Sequence, residues 1–146
     1  MISSHLMSFL RTHAERTVWP KELENLMRED IYWIASGNIK PGKYEEFLTV
    51  IEQMAQVTRD EEGSISYEFN VNEDHTVVQV FEHFRDDAAA VHHLTVTLPL
   101  FGEAYGETAS IDGLVVYGAP QGEAKEILDS LGSVYLRPVG GFTAKP

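Results

Sequence analysis

Between residues 31 and 117 the chain switches repeatedly between a two-residue and a helical hydrophobic period. IYWIASGNI, at 31–39, reads as a strand that is apolar on both faces. Ile31, Trp33 and Ala35 fall on one side, and Tyr32 and Ile34 on the other, because successive strand side chains point opposite ways. Pro41-Gly42 ends it. From Tyr44 the period becomes helical: Tyr44, Phe47, Leu48, Ile51, Met54 and Ala55 form one stripe, and Gly63 has the place of a C-terminal helix glycine. Residues 64–71 and 76–84, rich in β-branched and aromatic types, flank the polar loop Asn72-Glu73-Asp74-His75 and predict a hairpin. In its second arm Val78, Val80, Glu82 and Phe84 share one side, while Val77 and Phe81 take the other. Asp86 or Asp87 then caps a helix carrying His92 and His93. Pro99 breaks that helix and permits a short one over 100–108, and residues 111–117 (IDGLVVY) form a fourth strand.

The order strand, helix, strand, strand, helix, strand predicts an α+β, ferredoxin-like fold: a four-stranded antiparallel sheet with helices on one face. Such a sheet needs only that face apolar. Two-sided strands need a second cover, and too few elements remain to supply it. The economical cover is the sheet of another subunit, so a homodimer is expected. Around a central domain at 30–118 lie an N-terminal arm, 1–29, and a C-terminal extension, 119–146. In the arm Pro20 opens a helix over 21–28, with Leu23, Leu26 and Met27 on one face. In the extension Ala124, Ile127, Leu128 and Leu131 mark a docked helix over 122–131, and residues 133–136 offer an edge strand.

Composition narrows the function classes. At 146 residues and 43% hydrophobic, the chain is long enough for one packed domain with an extension. Its net charge of −12 comes from scattered acids such as Glu45-Glu46, Asp60-Glu61-Glu62 and Asp86-Asp87, which read as a solvated surface. No basic stripe exists to meet a phosphate backbone, so nucleic acid is not an expected partner. With no cysteine, disulfides, thiolate nucleophiles and iron–sulfur ligation are excluded. No apolar run approaches the roughly 20 residues of a membrane span and no apolar signal core opens the chain, so a cytoplasmic protein without a membrane partner is expected.

His93 is the first candidate for chemistry. An imidazole titrating near 6.5 can accept a phenolic proton at neutral pH. Tyr67 offers a hydroxyl to orient a substrate. Glu82, in an aromatic strand, can act as a base or hold His93. Trp33, Phe84 and Phe101 can wall an aromatic binding pocket. The same residues also admit a purely architectural reading, with His93 bonded to Glu82 or a carbonyl and the aromatics as core. His92 lies about 100° round the helix from His93, so the two cannot share a pocket. No metal site is expected: Glu82 and His83 point to opposite faces, and no histidine pair has the spacing of a helical zinc site. Gly37 to Lys43 imitates a P-loop, but Tyr44 replaces the Mg²⁺-holding Ser/Thr and Pro41 removes a backbone donor.

Glu61-Glu62-Gly63, Tyr67, Glu82-x-Phe84, Ala88-Ala89 and His93, eleven positions after Glu82, together resemble the antibiotic biosynthesis monooxygenase family over residues 30–118. The resemblance implies a dimeric α+β barrel. For some members it implies oxygenation of quinols or polycyclic phenols by O₂ without a cofactor, with His93, Tyr67 and Glu82 as catalytic candidates. Three departures matter. The stretch 94–99 is longer than usual and lacks a second histidine. Phe84 stands where a Trp or Tyr is common. The Asn, Trp and His of the haem-degrading branch fall near Ala35, His93 and Glu103, so haem is not expected. The alternative is a non-catalytic dimer that binds a small hydrophobic molecule or a protein partner.

Overall fold

The computed structural model describes residues 29–142, of which those up to Arg137 belong to one compact unit. The predicted helix at 21–28, and with it all of the arm but Glu29, lies outside the described residues. The strands are β1 (Ile31–Asn38), β2 (Ser64–Val71), β3 (Val77–Phe84), β4 (Gly113–Tyr117) and β5 (Val134–Leu136); the α-helices are α1 (Tyr44–Arg59), α2 (Asp87–His92), α3 (Leu98–Thr108) and α4 (Gly122–Ser130). The sheet order is β2-β3-β1-β4-β5. The first four strands are antiparallel and form the expected α+β, ferredoxin-like core, while β5 adds a parallel edge strand beside β4. The sheet is therefore mixed and five-stranded, and it stays open.

Register places the site. Tyr67 pairs with Glu82, Glu82 with Trp33, and Trp33 with Val116. Paired residues share a face, so one row crosses four strands beneath the helices. On that face Ile31, Trp33, Val78, Val80, Phe84 and Val116 are all buried. Asn72 fixes the hairpin: its Oδ1 accepts from the backbone N–H of Thr76 (2.9 Å) and of Val77 (2.8 Å). His75 takes a left-handed φ of 58° there and stacks on Tyr44, ring centroids 3.9 Å apart, tying the start of α1 to the hairpin tip.

Four local expectations change. Leu48 is 38% exposed, so the buried face of α1 runs instead through Phe47, Met54 and Thr58. The helix ends at Arg59, with Asp60 as its C-cap, before Gly63. Gly63, with φ +89°, lies past that end and does not cap α1; a Cβ there would stand 2.7 Å from the Cβ of Ala89 in α2. Leu131 is 52% exposed, beyond the end of α4.

The fourth change concerns Pro99, which does not separate two helices. Asp86 Oδ1 caps α2 by accepting from Ala89 N–H. Residues His93–Thr97 then form a π-turn that runs straight into α3, with Leu98 N–H bonded to the His93 carbonyl. A proline ring crowds the carbonyl four residues back, here that of Thr95. A turn widened by one residue accommodates it, and such turns recur at functional sites.

The opposite face of the sheet is also apolar in part. Tyr32 stacks on Tyr117 (4.8 Å, 6° between planes) and lies 5.7 Å from Phe81. His83 pairs with Asp30, on the other side of the sheet from its neighbour Glu82. In the extension, α4 buries Ala124 and Leu128 completely, Leu128 against the cluster of Ile31, Trp33 and Phe84.

Candidate functional site

Three elements converge on His93. It begins the π-turn, Glu82 comes from β3, and Glu61 comes from the turn after α1. Nδ1 of His93 is 3.0 and 3.2 Å from the two carboxylate oxygens of Glu61. Its Nε2 is 3.2 Å from Glu82 Oε2, within ion-pair reach but misaligned for a hydrogen bond. Their side chains are only 1% (His93), 4% (Glu61) and 9% (Glu82) exposed. Rings complete the surroundings: Phe84 is 5.0 Å and Tyr67 5.3 Å from the imidazole, and Trp33 lies 4.9 Å beyond Phe84.

Of the six residues singled out from sequence, five meet here: Trp33, Tyr67, Glu82, Phe84 and His93. Phe101 packs instead on the neighbouring cluster of Phe47, Met54 and Tyr105. His92 is exposed, as its angular offset required. Glu61 was read as solvated surface along with its neighbours. The structure separates them: Glu62 points out, its side chain 89% exposed, while Glu61 turns in. Thr97, buried at the end of the π-turn, helps to hold Glu61 in its charged form and gave no sign in the sequence.

The electrostatics follow from this packing. Burial pushes His93 down, but its contacts with Glu61 and Glu82 outweigh that and raise it to about 9. His93 is therefore an imidazolium at neutral pH, not the free imidazole near 6.5 anticipated from sequence. Burial pushes Glu61 up, and its bonds to His93 and Thr97 outweigh that and hold it below the usual range. Tyr67 is driven far up by burial, helped by the charge of Glu82, so its phenol stays protonated. Tyr105 rises to about 12 through burial and the same carboxylate. Among the described residues no cluster is arranged to hold a metal ion. Lys43 pairs with Glu46 at the surface, 2.6 Å away, where a P-loop would turn it to phosphate.

An open ferredoxin-like α+β sheet with a buried acid–imidazole–acid cluster under its helices defines the class. Residues 31–97 match the family model described as antibiotic biosynthesis monooxygenase. A Bacillus subtilis protein named "Putative monooxygenase YcnE" is 34% identical over 82 residues, covering 55% of this chain and 73% of that protein. The chain belongs to the antibiotic biosynthesis monooxygenase family. Among solved structures, MupZ from Pseudomonas fluorescens superposes with a TM-score of 0.69 at 22% identity, over 80% of this chain and 96% of that one. SnoaB from Streptomyces nogalater, described as a cofactor-independent oxygenase, gives 0.56 at 13%, over 65% and 97%. These two likenesses concern the fold. Among the described residues no helix is long and apolar enough to cross a membrane.

Proposed function

We propose that the protein is a cofactor-independent monooxygenase of a small aromatic, quinol-like compound. The observation that carries this reading is the buried imidazole of His93, held between Glu61 and Glu82 with the rings of Tyr67 and Phe84 against it. A carboxylate can take a phenolic proton, and a cation beside it within apolar walls stabilises the phenolate that O₂ then attacks. For an anthrone-type phenol the balance closes without an outside reductant: the ring CH₂ becomes C=O with one oxygen atom, and the other leaves as water with the two methylene hydrogens. Tyr67, kept protonated, orients the substrate hydroxyl. Trp33 and Phe84 give the apolar wall, and the half-buried Phe101 stands towards the surface. The reading includes a homodimer joined through the second sheet face into an α+β barrel, in the cytoplasm.

Oxygen uptake with a panel of quinols and anthrones tests it. Turnover is expected to need O₂, to survive chelators, and to fall about 10²–10³-fold in His93→Ala, as when one electrostatic stabiliser is removed. Oxidation that persists under strict anaerobiosis removes the monooxygenase. A second reading, a non-catalytic module for a hydrophobic molecule or protein partner, draws on the near-complete burial of His93. Ligand binding with no oxygen uptake over the whole panel would select it.

A further inference from the structure

Glu61 holds the side of His93 that faces away from the sheet, and Glu82 holds the other. The two contacts differ in kind. Both Glu61 oxygens lie on Nδ1, at 3.0 and 3.2 Å. Nε2 meets only one oxygen of Glu82, off line for a hydrogen bond. Glu82 is also the most exposed of the three and the one flanked in its row by Tyr67 and Trp33.

We propose that Glu61 is a positioning residue that fixes His93 as the cationic partner of Glu82, leaving the Glu82 carboxylate as the group that takes the substrate proton. This rests on the oxygenase reading of the site. The groups facing His93 are Glu61 from the turn after α1, Glu82 from β3 and Tyr67 from β2. Tyr105 of α3 faces Glu82, and His92 acts on Glu61 from its exposed position. With both carboxylates ionised, the trio carries a net charge of −1 in a buried place, which is unfavourable. Accepting one proton makes it neutral. In that step the substrate O–H bond breaks and an O–H bond to Glu82 forms. The phenolate then lies beside the imidazolium, and Glu82 returns its proton to the product hydroxyl once the two methylene hydrogens have left as water. With a proton on both ring nitrogens His93 cannot accept another; its raised titration is consistent with this role.

Two measurements on the full chain test the assignment. In the first, the histidine ring nitrogens are followed by NMR from pH 5 to 10, with His93 identified by its loss in His93→Gln. Wild-type His93 is expected to carry protons on both nitrogens at pH 7.5, and Glu61→Gln, which keeps the shape, to lower its midpoint by at least about one pH unit. A neutral wild-type imidazole at pH 7.5, or an unmoved midpoint in folded Glu61→Gln, overturns the positioning role. In the second, anthrone is mixed with protein anaerobically and the absorbance of its anion is read. Wild type is expected to generate the anion and Glu82→Gln to lose it at least tenfold, while Glu61→Gln shifts the pH at which it forms. Equal anion in Glu82→Gln, or none in wild type, overturns the role of Glu82. Anion formation without oxygen uptake in air would sink the oxygenase reading and leave the proton assignment standing.

Discussion

Gly63 passes so close beneath Ala89 that a methyl group in place of its hydrogen would stand 2.7 Å from the Ala89 Cβ. The contact fixes how the chain leaves α1, because Glu61 lies two residues upstream and the Gly63 carbonyl accepts from Arg85 N–H at 2.8 Å. Gly63→Ala is therefore expected to destabilise twice over. A left-handed backbone costs about 1–3 kcal/mol in a non-glycine residue, and overpacking adds about 1–3 kcal/mol. Gly42→Ala is the control, with φ +75° but open space around it, and it should show only the first cost. Thermal unfolding of both variants checks the difference; equal losses would mean that the Ala89 contact relaxes freely.

Stability should fall on the alkaline side. His93 titrates near 9 in the folded protein against 6.5 ordinarily, so its pairing stabilises fully below about pH 6.5 and is lost as pH rises through about 9. Glu61 is held low, so its share is present above about 4.5 and fades in acid. Both describe one interaction and are counted once, on the order of 3 kcal/mol, or roughly 10 °C in Tm for a domain of this size. Melting curves should be flattest between about pH 4.5 and 6.5 and should decline towards pH 9.5. His93→Gln should remove most of that decline; a wild-type Tm constant from pH 6.5 to 9.5 would contradict it.

How far the chain could be read depended on what each feature needs. β2 ran as anticipated over 64–71, and Asp86 was one of the two caps named, because period, turn and cap are local signals. That Glu82 shares a face with Val78, Val80 and Phe84 followed from alternation, while its register against Tyr67 and Trp33 came only with the sheet. Pro99 misled because a proline reads as a break, while the widened π-turn that admits it has no sequence signature. Glu61 was missed for a related reason. It sits between Asp60 and Glu62 in an acidic run, and which member turns inward depends on the backbone at Gly63 and on Thr97, thirty-six residues away. The proton on His93 was equally hidden, since it needs two carboxylates that only the tertiary fold brings together.

The extension should behave as part of the compact unit. Ala124 and Leu128 are fully buried, and Leu128 packs with Ile31, Trp33 and Phe84. Leu128→Ala is expected to cost about 2–5 kcal/mol, the usual range for truncating a buried leucine. Limited proteolysis should spare residues 122–136 in wild type and cut there in the variant. Rapid cleavage near Gly122 of the wild type, with no loss of Tm, would show α4 to be dispensable.

The second sheet face sets the last test. Tyr32, Ile34, Phe81, Val115 and Tyr117 lie half-buried there, and Val77, Val134 and Leu136 are exposed beside them. If two copies meet through this face, Phe81 becomes interior, and a carboxylate at its position would be buried without a partner, at several kcal/mol per interface. Phe81→Asp is expected to yield a folded monomer of 16.4 kDa where wild type scatters light with twice that mass at micromolar concentration. Val57→Asp, placed on the exposed side of α1, should leave the wild-type mass unchanged. A monomeric wild type would remove the dimer altogether. A dimer that survives Phe81→Asp but not Val57→Asp would move the interface to the helical layer.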